Sequence, residues 1–290
     1  MIRLIYLAYM VCLLLCSCNT HSNRVYFTID PEDRKIVLPV QIDDSITARL
    51  AFDSGATIGA LVLDSTFLLK NPMLFDVDSL VKSGFSGSAW GEYYVPSSCY
   101  KATPDVKVGN KNLVYSRAIV FDWKKYFSTS DSEGMFNIPE NDTIHVWELN
   151  FEDNYMEIHS AQNFRLPDDC FEIPMVNVKK YPNPFIIKFP IKVKCNNGDT
   201  LTLDHAFLID TGMPSDIALI RRDGDEEYNF FNDRKEAVWT SDLSHYHRYC
   251  TVDATLFDKM NIDSLRIYTF DYPNNVIYDY LIGLNFLKRF

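Results

Sequence analysis

Several motifs that mark common enzyme classes are missing from this sequence. It contains no Gly-x-Ser-x-Gly, no His-Glu-x-x-His, no Gly-x-x-x-x-Gly-Lys and no Gly-x-Gly-x-x-Gly. These patterns supply the nucleophile, the zinc ligands or the phosphate-binding loop in their respective classes. Their absence excludes the common serine hydrolases, zinc peptidases and nucleotide-binding enzymes.

Positive charge is also scarce. The 290 residues include 28 lysines and arginines against 39 aspartates and glutamates, so the formal net charge is -11 and the pI about 5.0. Nucleic-acid phosphates and anionic membrane surfaces both repel a protein of this charge. We therefore expect no nucleic-acid partner.

An apolar run at the N-terminus is too short to cross a bilayer comfortably. Residues 4–15 follow Met1-Ile2-Arg3, an arrangement typical of a signal peptide. The run ends in Leu15-Cys16-Ser17-Cys18, which resembles a bacterial lipobox and predicts a lipid on Cys18; an ordinary secretory signal is the alternative. We expect a lipoprotein signal peptide over residues 1–18 and a tether over residues 19–24. The mature chain would be a monomer in the bacterial cell envelope (periplasmic or outer-membrane face), with the lipid as its only membrane contact.

Few cysteines remain once this leader is set aside: Cys99, Cys170, Cys195 and Cys250. An exported compartment permits disulfides, and four thiols allow three pairings. A chain with 47% hydrophobic residues can bury a core that does not need them. Disulfides and buried thiols both remain open.

The most informative pattern in the sequence occurs twice. Asp53-Ser54-Gly55-Ala56-Thr57 follows one apolar run, and Asp210-Thr211-Gly212 follows another. An apolar run that ends in aspartate, a small hydroxyl residue and glycine predicts a buried strand that stops at a carboxylate and turns sharply. We take this pair as the functional centre.

The surroundings of the two motifs also correspond. Pro190-Ile191-Lys192-Val193 in the second half matches Pro39-Val40-Gln41-Ile42 in the first, and Leu281-Ile282-Gly283 matches the segment around Gly134. Strand-like patterns also cover residues 25–29, 35–42, 46–52, 105–110, 118–121 and 147–158. We infer an internal duplication and a mainly β protein. The two lobes are expected over residues 25–165 and 166–290.

Two aspartates that meet where the lobes face each other indicate one type of chemistry. Like charges a few ångströms apart cannot both stay ionised, so one carboxyl keeps a proton and the other activates a water. Such a pair hydrolyses a peptide bond by general acid–base catalysis and needs no metal or cofactor. Ser54 and Thr211 suit a hydrogen-bond network between the lobes, and Gly55 and Gly212 let the backbone approach the carboxylates.

The two motifs resemble the active-site motifs of pepsin-like and retropepsin-like aspartic proteases. Leu281-Ile282-Gly283 resembles the segment that crosses behind each active-site loop in that family, and the similarity looks closest to two-lobed bacterial lipoproteins. The resemblance implies a two-lobed acid-protease fold with barrel-like lobes and an Asp53/Asp210 catalytic dyad that cleaves peptide or protein substrates. Its remaining implied site residues are the dyad supports Ser54, Gly55, Thr57, Thr211 and Gly212, and a flap over residues 84–94 with Trp90, Tyr93 and Tyr94.

Three departures from that pattern motivate a rival hypothesis. Asn137 stands where a second glycine is usual, Met213-Pro214 follows the second motif, and the strand pair of residues 147–158 has no counterpart before Phe290. The rival is a catalytically inactive lipoprotein that binds peptides or a partner protein in the same cleft. Two weaker alternatives, a metal site at His245 and His247 and a cation loop at residues 223–227, lack further ligands; we expect no metal.

Overall fold

The computed structural model describes residues 23–31, 34–56, 59–86, 94–126, 131–139, 142–168, 170, 172–178, 185–194, 198–220, 230–231, 236–238, 247–270, 278 and 280–290. The signal peptide, Cys18 and residues 19–22 of the tether lie outside these ranges, so the leader and the lipid stay predictions. Within them, no helix has both the length and the apolar character that crossing a membrane requires. Cys99, Cys170 and Cys250 form no disulfides with one another, and Cys195 lies outside the described residues.

The first half of the chain is built from thirteen strands and two short helices in these ranges. In order they are β1 (Val25–Tyr26), β2 (Thr28–Ile29), β3 (Ile36–Ile42), β4 (Ile46–Phe52), β5 (Ala60–Asp64), α1 (Ser65–Lys70), β6 (Leu80–Ser86), β7 (Tyr94–Tyr100), β8 (Val106–Val108), β9 (Lys111–Leu113), β10 (Arg117–Phe121), α2 (Trp123–Tyr126), β11 (Gly134–Phe136), β12 (His145–Asn150) and β13 (Tyr155–Ser160). A 3₁₀ turn, Val77–Ser79, precedes β6.

Among the described residues, the second half continues with seven strands and the short helix that follows the last of them. They are β14 (Ile186–Lys194), β15 (Thr200–Asp210), β16 (Ile217–Ile220), β17 (Glu236–Val238), β18 (His247–Leu256), β19 (Met260–Phe270), β20 (Tyr280–Gly283) and α3 (Leu284–Leu287). The mainly β prediction is therefore confirmed. The described strands form three sheets. Two of them consist only of strands from residues 25–160, and the third consists only of strands from residues 186–283. The exact lobe boundary at residue 165 stays a prediction.

The order of strands repeats between the two halves. The large sheet of the first half runs β6-β7-β10-β5-β11-β4-β3-β8-β9, and the sheet of the second half runs β17-β18-β19-β16-β20-β15-β14. Each neighbouring pair also has the same direction: β4–β11 and β15–β20 are parallel, and β5–β11 and β16–β20 are antiparallel. This correspondence supports the internal duplication inferred from the sequence.

Burial follows the place of each strand in its sheet. The residues of β14 alternate between buried and largely exposed positions, as expected for a strand with one face on the core. All residues of β5 and β16 are buried, because these central strands are covered on both faces. The prolines Pro39 and Pro190 sit at matching places in the first strand of each hairpin, where that strand is paired on one side only.

The strand pair predicted over residues 147–158 is β12 and β13, joined by a turn at residues 151–154. With β1 these strands form a small sheet that draws only on the first half of the chain. The Trp147 ring stacks on the buried Phe52 ring, with the ring centroids 5.8 Å apart. The sheet therefore covers the core directly beneath the end of β4, the strand that leads to Asp53.

The crossing strand of the first half depends on a glycine. Gly134 opens β11 between β4 and β5 with a φ of +143°, and a Cβ added there would lie 2.9 Å from the Leu63 Cα and would also collide with the Val62 carbonyl. These obstacles are backbone atoms of a paired strand, so they cannot move aside as a flexible side chain can. β11 can approach β5 only because this position has no side chain.

Replacing Gly134 by alanine should cost about 2 kcal/mol more unfolding free energy than replacing Gly198 by alanine. Gly198 also has a positive φ, +90°, but its added Cβ meets no atom within 4 Å. The control therefore isolates the steric collision from the backbone strain. Chemical denaturation of both variants measures the difference, and equal losses would contradict this account of β11.

Candidate active site

Each motif aspartate lies at the end of a strand that is held by a crossing strand. Asp53 follows β4, and its backbone N–H donates to the Phe136 carbonyl of β11 at 3.0 Å. Asp210 is the last residue of β15 and pairs with Gly283 of β20. The predicted crossing segments at Gly134 and Leu281-Ile282-Gly283 therefore lie beside the two motifs and support them in the same manner.

The hydroxyl residues after the aspartates join the two lobes. The Ser54 backbone N–H donates to Thr211 Oγ1 at 2.9 Å, and the Thr211 backbone N–H donates to Ser54 Oγ at 3.1 Å. The Ser54 hydroxyl donates to the Ile209 carbonyl at 2.8 Å, and the Thr211 hydroxyl donates to the Phe52 carbonyl at 3.1 Å. Ser54 and Thr211 are both buried, so these four reciprocal bonds hold the loops together away from water.

The two glycines bring each loop against the carboxyl group of the other lobe. A Cβ on Gly55 would lie 2.5 Å from the Asp210 Cγ, and a Cβ on Gly212 would lie 2.5 Å from the Asp53 Cγ. Neither position has room for any side chain while the carboxyls stay in place. The glycines are therefore required by close approach, as the sequence predicted.

The carboxyl groups of Asp53 and Asp210 hydrogen-bond to each other. Asp210 is only 5% exposed. Burial, followed by the charge of Asp53 and the hydrogen bond to it, raises the pKa of Asp210 well above 3.8. Burial also raises the pKa of Asp53, although Lys35 and the N–H groups of Gly55 and Ala56 partly offset this effect. The pair can therefore hold one proton at pH values where ordinary carboxyls have lost theirs.

The residues after each motif donate to the carboxylates in matching positions. Asp53 Oδ1 accepts from the N–H groups of Gly55 at 2.9 Å and Ala56 at 3.1 Å. Asp210 Oδ1 accepts from the N–H of Met213, the counterpart of Ala56, at 3.1 Å. The Met213 side chain is buried in the core and Pro214 is exposed. Met213-Pro214, noted as a departure in the sequence, thus preserves the donor that the loop needs.

The second departure, Asn137, braces the first loop. Its side-chain amide donates to the Ala56 carbonyl at 2.9 Å, and the Tyr115 hydroxyl donates to the Asn137 carbonyl at 2.6 Å. Asn137 is 3% exposed, and its Oδ1 has no partner among the described residues. Sequence analysis treated this asparagine only as a deviation, because the loop that it contacts is distant in the chain.

Sequence analysis also missed the anchor of the second loop. The Asp216 carboxylate is buried, accepts from the Arg266 backbone N–H at 2.9 Å and forms an ion pair with Arg289 at 3.1 Å. The Asp216 carbonyl accepts from the Gly283 N–H at 2.8 Å. The segment after β20 therefore fixes the loop that carries Asp210. The sequence showed only that Asp216 lies close to the second motif. It did not indicate which residues Asp216 contacts.

Several predicted site residues lie outside the described residues, namely Thr57, Trp90, Tyr93, residues 223–227 and His245. The two strands that flank the predicted flap are antiparallel neighbours, because β6 and β7 pair from Leu80–Tyr100 to Ser86–Tyr94. Tyr94 is thus the first residue of β7. The flap and the substrate-binding roles of the three aromatic residues stay predictions.

A different group of side chains could hold a metal ion in the part of the chain described by the structure. Potential ligand atoms of Glu148, Glu157 and His159 lie within 4.8 Å of one another on β12 and β13. His159 Nε2 is 2.7 Å from Glu148, the Tyr155 hydroxyl donates to Glu148, and Arg24 pairs with Glu157. These side chains form hydrogen bonds and ion pairs with one another. Neither Asp53 nor Asp210 belongs to this group.

Comparison with known proteins finds similarity in structure only. No protein-family profile matches the chain, and no curated protein sequence is significantly similar to it. An aspartic proteinase from Irpex lacteus aligns with a TM-score of 0.48 and 13% identity over 91% of this chain and 92% of its own. Basic 7S globulin from soybean aligns with a TM-score of 0.46 and 8% identity over 90% of this chain and 88% of its own. The protein edgp aligns with a TM-score of 0.47 and 9% identity over 91% of this chain and 90% of its own. At these TM-scores and identities, the similarities assign neither activity nor substrate.

Loss of either bridging hydroxyl should destabilise the protein by about 1–3 kcal/mol, because each leaves buried backbone groups without partners. Ser54→Ala and Thr211→Val test this, with Ser116→Ala as the control, since the Ser116 hydroxyl makes one bond on an exposed residue. We expect the control to lose less than about 0.5 kcal/mol. Denaturant unfolding of the double variant should show coupling of at least about 0.5 kcal/mol, and strict additivity would argue against one shared network.

Replacing Asp210 by asparagine should stabilise the protein at neutral pH. The folded-state pKa of Asp210 lies above the ordinary value of 3.8. The folded protein therefore retains a proton that the unfolded chain releases, so stability falls as pH rises from about 4 through the folded-state pKa. Asparagine removes this loss, which is present at pH 7 and vanishes near pH 3.

Calorimetric melting at both pH values tests this expectation, with Asp204→Asn as the control. Asp204 is an exposed residue of the same strand. We expect Asp210→Asn to raise the melting temperature at pH 7 by about 2–4 °C per kcal/mol gained. A melting temperature at or below that of the unmodified protein at pH 7 would contradict the raised pKa.

Proposed function

We propose that this protein is an aspartic endopeptidase in which Asp53 and Asp210 form the catalytic dyad. The observation that carries the proposal is the hydrogen-bonded pair of carboxyls, both with raised pKa values, held on matching loops from two halves of the chain. A buried like-charged pair is costly for stability and is expected only where its chemistry is needed. A purely structural role would be served better by an asparagine or a hydroxyl.

The dyad would act by exchanging one proton. In the resting state the pair carries a single negative charge, and a water between the carboxyls gives a proton to the ionised group as its oxygen attacks the peptide carbonyl. The protonated group donates to the carbonyl oxygen, which yields a neutral tetrahedral diol. The proton taken from the water is then given to the leaving nitrogen as the C–N bond breaks. The other carboxylate accepts a proton from one hydroxyl of the diol, so the products are a carboxylic acid and an amine and the dyad again holds one proton.

Rigid placement of the two carboxyls supports this role. The four hydrogen bonds between Ser54 and the second lobe and between Thr211 and the first lobe fix both loops from each side. Preorganised groups do not have to reorganise as charge moves in the transition state. The segment of residues 84–94, whose sequence includes Trp90 and Tyr93, is the proposed flap over an extended peptide.

The proposal is tested by incubating the mature protein with a diverse peptide mixture from pH 3 to pH 7.5 and identifying the products by mass spectrometry. Asp53→Asn and Asp210→Asn should each lower kcat/KM by at least about 10³-fold, because the pair acts as one acid–base unit. Asp204→Asn, on the same strand as Asp210, should leave kcat/KM unchanged.

The outcome also separates the proposal from its rival. Absence of cleavage at every pH, by protein shown to be folded, would refute the peptidase and favour a protein that binds peptides in the same cleft. Cleavage that survives both dyad substitutions would point to a contaminating protease. Peptide binding without cleavage can be measured directly by calorimetry on the same mixture.

A further inference from the structure

Lys35 and Asp53 directly adjoin the last pair of a strand ladder. β3 and β4 pair from Ile42–Ile46 to Ile36–Phe52, and continuing this register by one residue on each strand sets Lys35 opposite Asp53. Residues directly opposite each other on antiparallel strands share one face of the sheet. Ile36 and Phe52 face the large core, and the pair that follows them therefore faces the other side.

That other face carries the ring of Trp123. Ala51, two residues before Asp53, packs in the same hydrophobic cluster as Trp123. The Lys35 Nζ lies 5.2 Å from the centroid of the Trp123 ring, within the range of a cation–π interaction. The ring is itself fixed, because its N–H donates to the buried Ser132 hydroxyl at 2.9 Å. Lys35 is half-buried, and its ammonium group thus lies over a fixed ring beside the strand that leads to the first active-site loop.

The charge of Lys35 acts unequally on the two carboxyls. It is the largest charged influence that lowers the pKa of Asp53, whereas the charge of Asp53 raises the pKa of Asp210. Other charged residues on the surrounding elements have contacts of their own: Glu133 accepts from the Arg49 N–H, and Lys125 lies over the Tyr126 ring. The remaining charged residues of these elements are Asp30, Arg34, Asp122, Lys124 and Asp131.

We propose that Lys35 is a positioning residue of the dyad, whose ammonium group holds the negative charge of the pair on Asp53 and leaves the shared proton on Asp210. The assignment of catalytic roles to the two carboxyls rests on the proposed peptidase function. The effect of Lys35 on the titration of Asp53 can be measured without it. Asp53 would then be the group that accepts the proton of the water, and Asp210 the group that donates to the carbonyl oxygen. The lysine would keep Asp53 ionised at a lower pH than burial alone allows.

The decisive experiment follows the carboxyl titration of Asp53 directly. Protein labelled with ¹³C at aspartate carboxyls is titrated by NMR, and the Asp53→Asn spectrum identifies the signal. In Lys35→Met and in Lys35→Gln, the titration midpoint of Asp53 should rise by about one pH unit. Lys35→Arg keeps the charge and should keep the midpoint. Lys125→Met is the matched control, since it removes another lysine that lies over an aromatic ring.

Kinetics provide the second readout. The acid limb of the pH profile of kcat/KM should shift to higher pH in Lys35→Met and Lys35→Gln. In Lys35→Arg it should lie at the same pH as in the unmodified protein. An Asp53 midpoint that is the same with and without Lys35, or that moves equally in Lys125→Met, would overturn the proposal and leave Lys35 as a packing residue. Because the NMR titration needs no turnover, it tests Lys35 even if no peptide is cleaved, which would instead count against the proposed function.

Discussion

Two buried carboxyl groups in contact repel each other once both are ionised, and much of this structure exists to hold them together. Asp53 and Asp210 cannot be kept close by their own attraction unless they share a proton, so the surrounding backbone must supply the restraint. Gly55 and Gly212 make the close approach sterically possible. Ser54 and Thr211 then connect each loop to the backbone of the opposite lobe. The contact between the lobes and the close approach of the two carboxyls therefore depend on the same few residues.

The two loops have matching geometry but different supports. Behind the first loop, Asn137 donates to the Ala56 carbonyl and is itself held by the Tyr115 hydroxyl. Behind the second, an ion pair between the buried Asp216 carboxylate and the exposed Arg289 takes over this role. The lobes thus have equivalent strand orders, but different side-chain contacts hold the two loops in place. Such divergence is expected after a duplication, since only the surface shared by the two loops has to remain symmetric.

The features that sequence analysis predicted are those written locally in the chain. The paired motifs, the strands β3 and β4 and the strand pair of β12 and β13 follow from short apolar patterns. The contacts of Asn137, Asp216 and Lys35 could not be predicted, because each depends on a partner brought close only by sheet pairing. Asn137 and Met213 were interpreted as departures that weakened the site. In the structure one braces a loop, and the other keeps the N–H donor to Asp210.

The crossing strand of the second half has a consequence for the time at which the site forms. Asp210 lies at the end of β15, but β20, which supports it, follows only after β16, β18 and β19. On a ribosome, Asp210 therefore emerges well before β20. The first loop, which contains Asp53, emerges earlier than both. A nascent or truncated chain that lacks β20 carries both aspartates, but the strand that ends at Asp210 lacks its parallel neighbour. The order of the strands thus delays the support of the second loop until nearly all of this sequence has been synthesised.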